Sequence, residues 1–101
     1  ILESDPAQAR QIARKFLDFY LGAPNYTNNF EREGFTEADI ANGGSDRLID
    51  ALVAWGDLSI IRARIDAHLQ AGANHVCLQV VTADRESFPL AEYQQLAALI
   101  S

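Results

Sequence analysis

Two histidines, one cysteine and a run of asparagines are the side chains in this sequence with the most chemistry to offer. Histidine titrates near neutrality and can move a proton or hold a metal. His68 and His75 stand seven residues apart, a spacing without metal-ligand logic, and the lone cysteine removes any Cys-rich zinc motif. No metal is expected. Cys77 lies in an apolar run, where a buried, inert thiol is the usual state. Asn42-Gly43-Gly44-Ser45 could cradle a phosphate on free backbone N–H groups. Asp46 puts a negative charge at the same place, so a plain turn and helix cap is the better account. Asn25, Tyr26, Asn28 and Asn29 combine stacking with amide hydrogen bonding, which suits a lid over a planar ligand. Capping by Asn and anchoring by Tyr explain the same residues equally well. There is no Ser/His/Asp or Cys/His nucleophile arrangement and no paired-carboxylate signature.

Helices must position these residues. The first is expected from about Pro6 to Leu21, with Asp5 as cap, Pro6 at the first helical position and Gln8 at the reciprocal place of a capping box. Ala9, Ile12, Ala13, Phe16 and Tyr20 make its apolar stripe, which Leu17 and Phe19 widen. Gly22 and Pro24 end it. The stretch 23–44 reads as an irregular, lid-like insertion. It holds a short turn through Tyr26 to Glu33 closed by Gly34, and a second turn capped by Thr36 with Asp39. A helix capped by Ser45 or Asp46 is expected to reach about Trp55, and another runs from Asp57 to Gly72. The last starts near Pro89, with Leu90, Tyr93, Leu96, Ala97 and Ile100 facing inward.

Between these helices, residues 75–81 carry the strongest strand signal, β-branched at Val76, Val80 and Val81 and bounded by turn residues. One strand cannot satisfy its own backbone donors and acceptors. It is expected to pair with strands outside this sequence or with another copy, so the chain reads as a piece of a larger protein. The absence of Met and the aliphatic start Ile1-Leu2 favour the same expectation.

The 101 residues suit one domain. A net charge of −6 argues against a nucleic-acid partner, whose phosphates need a basic surface. No apolar run approaches a membrane span and no signal peptide is visible, so no membrane partner and a cytoplasmic location are expected.

Four segments, in order, carry a family resemblance. Gly72-Ala73-Asn74-His75-Val76-Cys77-Leu78-Gln79-Val80 after an amphipathic helix is similar to the last helix-to-strand step of luciferase-like monooxygenases. Leu2-Glu3-Ser4-Asp5-Pro6 with Ala9-Arg10 resembles a strand end leading into that family's Ala- and Arg-rich helix. Residues 20–30 with Gly34-Phe35 resemble the inserted region of a subgroup that uses the deazaflavin F420, and residues 46–56 resemble a helix late in the family's order. The likeness spans essentially the whole chain. It implies an α/β fold, the C-terminal third of a (β/α)8 TIM barrel, mostly helical with one clear strand at 75–81. It also implies a flavin- or deazaflavin-dependent oxidoreductase using coenzyme F420, alternatively FMN, held mainly by parts outside this sequence.

In such a barrel the site lies at the C-terminal ends of the strands. Val76, Leu78 and Val80 would pack on the outer helices, turning Cys77 and Gln79 inward. Gln79 and Thr82 then become the candidate cofactor contacts, although a barrel-filling amide is an ordinary role for Gln79. His75 would start the strand, at the wrong end for catalysis. A small-molecule substrate and a homo-oligomer are expected, and this chain alone would be inactive. The rival reading is a stand-alone helical interaction module that dimerises through its strand edge and apolar stripes.

Overall fold

The computed structural model describes residues 1–84 and 86–99. Six α-helices follow in order: α1 (Pro6–Leu21), α2 (Pro24–Arg32), α3 (Glu37–Ile40), α4 (Asp46–Leu52), α5 (Leu58–Gln70) and α6 (Leu90–Ala97), with a 3₁₀ turn at Ala41–Gly43 after α3. Local chemistry explains most of their ends. The Asp5 carboxylate accepts the Ala7 N–H at 3.3 Å and Pro6 opens α1. The Gly22 N–H closes that helix on Phe19 O. Thr36 and Asp39 form a reciprocal capping box on α3. The Ser45 and Asp57 side chains cap α4 and α5 through the N–H groups of Leu48 and Ile60.

The core is built where α1 meets α4. Ala9, Ala13 and Leu17 recur every four residues and are buried along one face of α1. Ala13 and Leu17 pack with the fully buried Ile49, ringed by Phe16, Tyr20, Leu21, Leu52 and Val53. Small residues on α1 let α4 approach closely. Phe19, expected to widen the stripe, is 75% exposed instead.

The described residues do not form the expected α/β chain, the last third of a (β/α)8 barrel with a strand at 75–81. The described residues contain no strand, and residues 75–81 are irregular between α5 and α6. The reason is pairing. A strand exists through a ladder with a neighbour, and among the described residues no second segment lies along this one. His75, Cys77, Leu78 and Gln79 are exposed, while Val81 is buried and Val76 and Val80 half-buried. Cys77, expected to be buried, is exposed.

Two smaller differences concern neighbouring elements. The stretch read as irregular from 23 is largely helical, because Pro24 starts a nine-residue helix in which Asn25 follows the proline inside the first turn instead of capping it. Helix α4 stops at Leu52, short of the expected Trp55, where Val53 turns extended (φ −128°, ψ 124°). Residues 54–56 instead meet the Ile1 backbone, which donates to Ala54 O at 2.8 Å and accepts the Gly56 N–H at 3.1 Å. The inward place expected for Ile100 lies outside the described residues. No described helix is long and apolar enough to cross a membrane.

Candidate functional site

Residues 79–81 and Phe16 form a wall shared by two clefts. On one side lies an open apolar cleft of about 310 Å³, lined by Phe16 of α1, Ile61 and Ile65 of α5, Leu96 of α6 and the side chains of 76–81. Its volume is at the lower end of what small-molecule sites enclose. On the other side lies a smaller, more polar cleft of about 150 Å³, lined by Gln79, Thr82, Asp84, Ser87 and Pro89. A tight turn builds this second cleft. The Thr82 hydroxyl donates to Asp84 O at 2.8 Å, and Asp84 Oδ1 accepts the N–H groups of Glu86 and Ser87 at 3.1 and 3.3 Å. The Ser87 hydroxyl and the Glu86 N–H hold the Asp84 carboxyl below its ordinary value.

Gln79 and Thr82 therefore line the same cleft. The Gln79 amide is exposed and can both donate and accept, whereas Thr82, having spent its proton on Asp84 O, offers only lone pairs. Asn25, Tyr26, Asn28 and Asn29 stand elsewhere, on α2, and line neither cleft. Tyr26 meets Tyr20 of α1 edge-on, with centroids 4.8 Å apart at 89°. His68 borders the apolar cleft while His75 borders neither, and no described group of His, Cys, Asp or Glu could hold a metal ion. At Asn42–Ser45 the turn runs through positive φ at Asn42, Gly43 and Gly44. The Ser45 hydroxyl caps α4 there, and Asp46 pairs with Arg14 at 2.6 Å.

The most connected polar groups are Asp50, which the sequence did not single out, and Asp39, which it marked only as a cap. Asp50 on α4 takes a two-pronged bond from Arg10 of α1, at 3.0 and 2.7 Å, and the Trp55 indole N–H at 2.8 Å. The Arg10 guanidinium also lies over the Trp55 ring, 5.2 Å from its centroid. The Arg10 bond is the main cause that holds the Asp50 carboxyl low, against some desolvation. Arg64 of α5 reaches the carbonyls of Asp50 and Ala51 at the end of α4. Arg10 and Asp50 are 40 residues apart, so only their opposite charges hinted at the pairing. A second network centres on Asp39, which accepts from Arg47 and Ser45 at 2.7 Å each and from the Thr36 N–H at 2.9 Å. Arg47 first, then the Thr36 N–H and the Ser45 hydroxyl, hold this carboxyl far below the usual carboxylate range. Thr36 and Asp39 were legible as a cap, but Arg47 was not.

Comparison with protein-family models, with curated proteins and with solved structures finds no match for this chain. The apolar walls of the larger cleft and the free Gln79 amide suit the ring of a flavin or deazaflavin. The clefts do not suit its anionic tail: Arg64 at the apolar cleft is engaged with α4 carbonyls, and the smaller cleft holds the Asp84 carboxylate.

Proposed function

We propose that this chain is part of a luciferase-like oxidoreductase that moves hydride equivalents between coenzyme F420, or alternatively FMN, and a small organic substrate. One observation carries the reading: Gln79 and Thr82, expected as cofactor contacts on the premise of a strand at 75–81, line one cleft directly beside an apolar one although that strand is not formed. The ring supplies the redox chemistry when bound. The chain's own residues would orient it through the Gln79 amide and keep water from its face with Phe16, Val80 and Val81. Tail phosphates would be held by cations outside this chain.

Fluorescence titration of the native gene product that carries this sequence, with F420 and with FMN, tests the proposal. One of the two is expected to bind, and Gln79→Ala to weaken it about five- to tenfold, the worth of one hydrogen bond. The 101-residue chain alone is expected to bind neither at micromolar concentration. A gene product that binds neither cofactor overturns the reading.

A second reading has its own support. Residues 75 and 77–79 are exposed and the 75–79 backbone makes no hydrogen bond among the described residues, beside an apolar cleft, which favours a helical module that associates with copies of itself.

A further inference from the structure

Tyr93 of α6 stands where it can set the position of Gln79 and Thr82. Its hydroxyl accepts the Val80 N–H at 3.4 Å, the one hydrogen bond made by the 75–81 backbone among the described residues. That bond is long and weak alone, so the ring needs another restraint. Phe88 supplies one, stacking on the Tyr93 ring with centroids 5.3 Å apart and planes 15° from parallel. Phe88 is brought there by the turn in which Thr82 donates to Asp84 O and Asp84 accepts from Glu86 and Ser87. A closed circuit results, running from Val80 through Thr82 and the turn to Phe88, onto the Tyr93 ring and back to Val80. Its members Val80, Thr82, Asp84 and Ser87 line the smaller cleft.

We propose that Tyr93 is a positioning residue: clamped by Phe88, it fixes Val80 and thereby holds Gln79 and Thr82 at the smaller cleft that both line. What the positioned residues do rests on the oxidoreductase reading, but the positioning itself does not. Phe88 is 72% exposed, so its burial contributes little to the core, and a role confined to this circuit explains why an aromatic ring stands there.

Amide hydrogen exchange on the 101-residue chain, read residue by residue, tests this. Tyr93→Phe keeps the ring and the stacking and removes only the acceptor. It should speed exchange at Val80 about five- to tenfold and move the Gln79 and Thr82 resonances, while Ala13 of α1 and Ile49 of α4 exchange as before. Phe88→Ala should act in the same direction, and its exposure keeps that variant folded. Unchanged Val80 exchange in both variants overturns the proposal. So does an equal rise at Ala13 and Ile49, which would make Tyr93 a residue of the general core. In the native gene product, Tyr93→Phe should weaken cofactor binding severalfold. A parent that binds no cofactor while Val80 still responds leaves the positioning standing and removes only the functional reading.

Discussion

At Asp50 one carboxylate serves both Arg10 and Trp55, so removing it strands two donors and loosens α1 from α4. The side chain is 40% exposed and its partner Arg10 24%, so water screens part of the attraction. Asp50→Ala should cost about 1–2 kcal/mol, or roughly 4–16 °C in melting temperature. Asp50→Asn, which still accepts from Trp55, should cost less. Thermal denaturation followed by circular dichroism checks both, and an unchanged midpoint for Asp50→Ala would show that the network is ornamental to stability. Tyr26 poses a sharper question, because a lid residue and an anchor respond differently. Its edge-on contact with Tyr20 makes it an anchor of α2 on α1. Tyr26→Ala is expected to lose about 1 kcal/mol, some 4–8 °C, with cofactor affinity unaltered. An unchanged melting temperature with weakened cofactor binding would restore the lid. The amides and rings of 25–29 could be recognised as ligand-capable from the sequence, but their distance from Gln79 depends on how α2 folds back, which no local pattern encodes.

Among the elements, the segment joining α3 to α4 depends on ionised carboxylates, and this sets its response to acid. The carboxyls of Asp39, Asp50, Asp57 and Asp84 all sit below the ordinary value of 3.8 in the folded chain. The unfolded chain therefore takes up these protons first as pH falls. Their stabilisation is complete above the unfolded value and is lost as pH drops from there through the lower folded values. The urea midpoint should stay level with respect to these groups from about pH 5 to 8 and fall below about pH 4. In Asp39→Asn the fall should be shallower and start from a lower neutral plateau, and a variant that matches the parent at every pH would dismiss the Asp39 network. The caps that carry these charges are also what made the helices legible. Asp5-Pro6, Thr36 with Asp39, Ser45 and Asp57 act within three residues of themselves, and each begins a helix where the sequence places it. What could not be read there was non-local. The early end of α4 depends on docking of the Ile1 backbone at 54–56, and the irregularity of 75–81 depends on the lack of a pairing neighbour, a fact about other segments. A β-branched run states a preference, and pairing decides it.

For the molecule as a whole, the open apolar cleft and the 75–79 segment lie together on one side. Leu78 is 37% exposed, Leu90 55% and Phe88 72%, and the 75–79 backbone makes no hydrogen bond among the described residues. Covering such a surface with a second copy would remove apolar area from water and could pair the backbone as well. The net charge of −6 works against this, because two copies repel each other at long range. Salt separates the two effects. At low ionic strength the repulsion extends roughly 30 Å, and near 1 M it is confined to about 3 Å, while burial of apolar surface is not weakened. Sedimentation equilibrium on the isolated chain should therefore show dimers at high micromolar concentration, and the dimer should tighten as salt rises. Leu78→Lys places a charge in the middle of the exposed segment and should return the chain to monomer without lowering its melting temperature, since that side chain contributes little to the core. A parent chain that stays monomeric in high salt removes the self-association reading. An association that weakens with salt would instead trace the contact to ion pairs and leave the cleft free for a small molecule.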